Sequence, residues 1–133
     1  MIYSTKSYRH SISILTGKKK SRYYGGIQKT IEDFLNDNFF DNIWEMNYHL
    51  RNIDQLKLSK IRLANKTMSK GKSGGFRLIL VLNKANEDIY LLMVYPKIGP
   101  EKKGNINDQE EEKLLKGLFS ELIDDTLEKF VIK

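Results

Sequence analysis

Two apolar, β-prone runs constrain this chain more than anything else in it: residues 76–82 (FRLILVL) and 89–95 (IYLLMVY), joined by Asn83-Lys84-Ala85-Asn86-Glu87-Asp88. Branched and aromatic side chains favour strands. Asn, Asp and Ala disfavour them, and Asn and Asp form turns, so the pattern predicts a hairpin with a short loop. With Asn83 and Ile89 flanking that loop, antiparallel pairing sets Arg77 opposite Tyr95 and Gly75 opposite Lys97. A third run, residues 58–63, has Ile61 and Leu63 on one face and Lys60 and Arg62 on the other. The flexible, basic stretch 65–75 connects it to Phe76, which predicts antiparallel pairing here too. The product is a three-stranded meander with Lys60, Arg62, Arg77 and Lys97 at one end and Lys70 and Lys72 on the loop above. A one-residue slip would turn alternate side chains to the other face, yet the clustering at one end would survive it.

At 133 residues the chain fits one domain, residues 1–133, long enough for a core without staples. The absence of cysteine excludes disulfides, thiolate nucleophiles and cysteine metal sites. His10 and His49 stand far apart in sequence, so neither a metal site nor a cofactor is expected. The first twenty residues lack the apolar core of a signal peptide, and no apolar run approaches the length of a membrane span. The expectation is a soluble, cytoplasmic protein.

The net charge of +6 matters less than its distribution. Residues 57–103 hold 11 Lys/Arg against 3 Asp/Glu, whereas residues 104–133 hold 4 against 8. A basic sheet followed by an acidic helix suits a phosphate-bearing partner, although a solvated lysine-rich surface gives the same composition.

The flanking segments read as follows. Residues 1–4 are compatible with a short strand, and Tyr8, Ile12 and Leu15 with a helix ending by Gly17, weakened by serines and β-branched residues. Residues 18–22 (KKKSR) read as a solvated basic loop, with contact to phosphate as the alternative role. Ile27, Ile31, Phe34 and Leu35 predict a helix over 26–36, and Tyr23 and Tyr24 before it read as core edge. Residues 36–54 combine aromatics with frequent Asn and Asp, which predicts an ordered loop or short helix on the sheet, with His49 as a structural or surface residue rather than a base. From Asn107 onward, Leu114, Leu115, Leu118, Phe119, Leu122, Ile123, Leu127 and Phe130 form one apolar stripe, with Asn107 or Asp108 as cap. Packing of that stripe on the sheet is expected, with docking on a partner as the alternative, and Gly117 marks a close approach to a neighbour.

The sharpest local signal is Lys70-Gly71-Lys72-Ser73-Gly74-Gly75-Phe76-Arg77. It is not a nucleotide-binding phosphate loop: the first lysine precedes the glycines and a strand, not a helix, follows. The paired glycines predict a sharp turn into the strand and room for a ligand against the main chain.

GKSGGFRLIL, followed by IYLLMVYPK and an acidic-flanked helix, resembles the RelE/ParE superfamily of bacterial toxins, and within it the HigB-like branch. The likeness covers residues 56–120, with the first 55 matching only in order of elements. It implies an α+β fold: a small antiparallel sheet of three to four strands flanked by two N-terminal helices and a C-terminal helix. The implied activity is that of a ribosome-dependent endoribonuclease (an mRNA interferase) that arrests translation, with ribosome-bound mRNA and a cognate antitoxin protein as partners. Lys60 and Arg62 match the basic pair before the glycine loop, Arg77 the arginine after it, and Lys97 the basic residue ending the next strand. The family's arginine directly after that lysine and its later tyrosine are missing here; Ile98, Lys102, Lys103 and Asn105 occupy that region.

Such a site cuts RNA without a protein nucleophile, because the 2′-hydroxyl attacks its own adjacent phosphate. Arg77 is expected to hold two phosphate oxygens, and Lys60 or Lys97, crowded by like charge, to move protons near neutral pH. Lys70, Lys72, Tyr95, Lys102 and Lys103 complete the expected RNA-binding surface. Two alternatives share the fold: a ParE-like toxin that binds a topoisomerase, and a non-catalytic RNA- or partner-binding module.

Overall fold

Strand β4 (Phe76–Asn83) lies at the heart of the protein, and the computed structural model describes residues 1–46 and 48–132 around it. Leu78, Ile79, Leu80, Val81 and Leu82 are each 0% exposed, so both faces of the strand are covered. Its neighbours are β3 (Leu56–Leu63) and β5 (Asp88–Pro96), both antiparallel to it. The meander expected from the sequence is therefore the centre of the sheet.

The sheet is larger than the three or four antiparallel strands expected. Among the described residues it has six strands in the order β2-β3-β4-β5-β1-β6, and one pairing is parallel. Strand β1 (Ile2–Ser4) runs parallel to β5, with Ile2 beside Ile89 and Ser4 beside Leu91. Strand β6 (Glu128–Lys129) pairs with β1, and β2 (His49–Ile53) with β3. Strands of three and two residues are too short to show an alternation in sequence. In β2, Arg51 and Asn52 mask the β signal, and its position at the sheet edge tolerates them.

Four helices cover one face: α1 (Lys6–Leu15), α2 (Ser21–Tyr24), α3 (Ile27–Asp37) and α4 (Phe40–Trp44). Their Tyr8, Leu15, Ile27, Ile31, Leu35, Phe40 and Ile43 close over Leu78, Leu80, Leu82, Leu63 and Leu91. The short α4 is the one anticipated within 36–54; β2 is the element that was not. The segment 18–22, expected as a loop, forms a 3₁₀ turn over Lys18–Lys20 and then α2.

On the opposite face α5 (Asp108–Asp124) sets Leu115 and Leu118 against Ile79, Val81, Tyr90 and Leu92. Of the two caps the sequence offered, Asn107 is the one that caps α5, and Glu110 returns a bond to its amide, a reciprocal contact that was not anticipated. The helix ends earlier than its stripe: Asp125 adopts φ 57°, and Leu127 and Phe130 lie beyond it. Phe130 crosses to the other layer and meets Tyr8 edge to face at 6.2 Å. Of the stripe only Leu115 and Leu118 are buried, Leu114, Leu127 and Phe130 are half-buried, and Phe119, Leu122 and Ile123 face outward, Ile123 84% exposed. A side chain at Gly117 would meet open space, so no neighbour demands a glycine there. No helix among the described residues is long and apolar enough to cross a membrane.

The serines that weaken α1 in sequence have a use. Strand β1 covers β5 only as far as Leu91, leaving the next backbone groups on an open edge. There α1 takes over: Ser7 Oγ donates to Leu92 O at 2.7 Å, and Ser11 Oγ accepts from the Val94 amide at 3.1 Å. Replacing Ser11 with alanine strands that buried amide, and chemical denaturation should show a loss of about 1–3 kcal/mol. The exposed Ser13→Ala should stay within about 0.5 kcal/mol of wild type.

Candidate nucleic-acid interface

Pairing along the meander fixes which basic residues share a face. Arg62 is the direct partner of Arg77, Lys60 of Ile79, and Arg77 of Tyr95. Directly opposed residues of antiparallel strands point the same way, toward the α5 side. Lys97 follows two residues after Tyr95, and its amide donates to Gly75 O at 2.9 Å. The predicted pairings of Arg77 with Tyr95 and Gly75 with Lys97 are both present. They arise by a different route, because the turn is tighter than expected, Asn83 facing Asp88, and a bulge between Ile79 and Leu80 restores the register. Two arginines facing one another across a ladder repel. None of Lys60, Arg62, Arg77 and Lys97 forms a salt bridge among the described residues.

Arg77 is not free to grip a ligand in the manner expected. It is 4% exposed, and its fork is committed to main-chain carbonyls. Nη1 donates to Lys72 O at 2.8 Å and Phe76 O at 3.1 Å, and Nη2 to Ser73 O at 2.9 Å. The side chain thus holds the glycine loop in shape and leaves its charge beneath the surface. Burial, then the neighbouring Arg62, lower its pKa from the ordinary arginine value.

The outer cations divide by accessibility. Arg62 is exposed, and Lys60 and Lys97 are half-buried. Burial first, then the charges of Arg77, Arg62 and Lys97, depress the Lys60 pKa below the usual lysine value. Lys60 Nζ reaches Asn105 Oδ1 at 3.4 Å, a contact that sequence reading missed because Asn105 lies in an irregular loop. Lys70, Lys72 and Lys102 are exposed, as an RNA-binding role requires. Lys103 is instead paired with Glu110 at 2.6 Å, which holds the Glu110 carboxyl below its usual range. Tyr95 cannot stack on a base: it is 2% exposed, beneath the surface. Its hydroxyl completes no hydrogen bond, although the Ile106 backbone lies alongside, and burial raises its pKa while Arg77 opposes the rise.

The glycine loop has a different logic from the one its composition suggested. A Cβ at Gly75 would fall 1.9 Å from Leu63 O, so the space beside that glycine is filled by β3 and holds no ligand. The loop after Lys97 is clamped separately. Tyr24 Oη donates to Ile98 O and accepts from the Glu101 amide, both at 3.0 Å. Gly99, at φ 89°, passes so close that a Cβ there would lie 2.4 Å from the same oxygen. His49 is structural: Nε2 meets Trp44 O at 2.9 Å, where it can only donate, and Nδ1 contacts Ser59 Oγ. No group of three His, Asp or Glu side chains among the described residues is disposed to hold a metal ion.

Gly75→Ala should cost about 3 kcal/mol in denaturant titrations, because backbone must move to admit the methyl group. Gly74→Ala, whose Cβ would meet only the aliphatic stem of Lys70 at 3.6 Å, should change stability by no more than about 0.5 kcal/mol. Compared with known proteins, the chain matches no family model and no curated protein.

Proposed function

We propose that this protein is a RelE-like toxin, nearest to the HigB-like branch, that cleaves ribosome-bound messenger RNA and is restrained by a cognate antitoxin. One observation carries the reading: Arg62 faces Arg77 directly across the sheet, flanked by Lys60 and Lys97, with no carboxylate among the described residues paired to any of them. Cross-strand like charges lower stability, and a bound phosphodiester is the ligand that would offset that repulsion. The order of elements, two long helices, a meander and a closing helix, also agrees with the family resemblance.

In this reading the exposed Arg62 and half-buried Lys97 hold the non-bridging phosphate oxygens as charge builds on phosphorus. Lys60, its ammonium form disfavoured, takes the proton of the 2′-hydroxyl. The 2′-oxygen bonds to phosphorus and the bond to the 5′-oxygen breaks, leaving a 2′,3′-cyclic phosphate. The Lys97 ammonium supplies the proton that turns the departing 5′-oxygen into a hydroxyl. Arg77 acts as a positioning residue, fixing the loop and adding positive potential from below. Lysines and arginines grip any RNA backbone, so selectivity rests on the ribosome presenting the message. The antitoxin would cover this face with acidic segments or displace α5, whose first turn is tied by Arg51–Glu111 at 2.7 Å and by Lys103–Glu110.

With programmed ribosomes as substrate, Arg62→Ala and Lys97→Ala should each slow cleavage about 10²-fold. Wild-type rates in both would overturn the assignment. The cleavage rate should rise with pH and level off below the ordinary lysine range, as Lys60 loses its proton. Removing a like charge with Arg62→Gln raises the Lys60 pKa, so this limb should move to higher pH. A profile unchanged by that substitution would exclude Lys60 as the base.

A further inference from the structure

The basic segment before α3 is not absorbed by the cleavage site. Lys18, Lys19 and Arg22 are exposed, form no salt bridge among the described residues, and with Ser21 line a recess of about 350 Å³. Lys20, in their midst, turns the other way and pairs with Glu101. The segment is fastened to both loops that border the cationic end of the sheet. Tyr24 bridges Ile98 and Glu101 in the loop after Lys97. On the other side, Asn65 Nδ2 donates to Tyr23 O at 3.0 Å, and the Gly26 amide to Thr67 Oγ1 at 3.2 Å, joining it to the turn that carries Lys66, Lys70 and Lys72. Arg22 lies over the Tyr23 ring with 4.8 Å to its centroid, which stiffens the guanidinium without neutralising it.

The nearby carboxylates are already engaged, Glu101 by Lys20, Glu110 by Lys103 and Glu111 by Arg51. What remains are cations without a salt bridge among the described residues at the sheet end, on the glycine loop and on the 3₁₀ turn, three segments that the hydrogen bonds of Tyr24, Asn65 and Thr67 tie together. We propose that Lys18, Lys19 and Arg22 form a second RNA phosphate-binding platform, which extends the cleavage site along the strand it holds. This rests on the RNA-binding reading above. The ligand is an RNA backbone, supplied either by the message beyond the scissile linkage or by ribosomal RNA.

The test compares wild type, a Lys18→Gln/Lys19→Gln/Arg22→Gln variant and a control, Lys113→Gln/Lys116→Gln/Lys129→Gln, which removes three exposed lysines elsewhere. Binding is measured against salt for single-stranded RNAs of about four and about twelve nucleotides and for isolated small ribosomal subunits. The platform variant should bind the longer RNA at least about tenfold more weakly, with a log–log salt slope shallower by about 2, and the shorter RNA unchanged. A loss confined to ribosomal subunits also supports the platform and identifies ribosomal RNA as its ligand. Equal binding by wild type and the platform variant overturns this inference alone, as does an equal loss in the control. Absence of RNA binding by wild type removes both the platform and the nuclease reading.

Discussion

A guanidinium buried without a carboxylate is costly, and the cationic end of this sheet is arranged around one. Desolvating Arg77 would cost several kcal/mol if its donors were left empty, and the carbonyls of Lys72, Ser73 and Phe76 supply what water would have given. The exchange works in both directions. The carbonyls need a donor because the loop has turned them inward, and the loop can approach so closely because Gly75 has no side chain to strike Leu63. A positive charge is thereby fixed beneath the surface, from where it acts on Lys60.

Around that point the acidic and basic groups are sorted by contact. The first turn of α5 brings Glu110 and Glu111 toward the same side of the sheet, where loose carboxylates would quench the field. Lys103 and Arg51 occupy them instead, and the same bonds moor the helix to its neighbours. Tyr24 does the corresponding work for the loop after β5, satisfying one carbonyl and one amide with a single hydroxyl. The cations left over are those that face solvent at one end of the sheet.

Much of this arrangement was legible in the residues. The hairpin, the third strand, the Asn107 cap and the grouping of Lys60, Arg62, Arg77 and Lys97 follow from alternation, turn chemistry and capping rules that act over short stretches. What escaped depends on distant partners. Strands β1 and β6 exist only because β5 and β1 offer open edges. The serines of α1 weaken a helix in isolation and strengthen it here by closing an edge. Burial of Arg77 and Tyr95 depends on a loop and on residues around Ile106 that no local pattern announces. The end of α5 at Asp125, well before the apolar residues stop, is likewise set by where Leu127 and Phe130 find their cores.

The irregularity in β5 has a mechanical consequence. Leu92 has no partner on β4, and both it and Met93 turn toward the α5 layer. The alternation counted from the turn is therefore reset halfway along the hairpin. Orientation at the cationic end is decided by that local fault and by Gly75 beyond it, so the outer tip of the hairpin and the working end behave as two separately indexed halves of one ribbon.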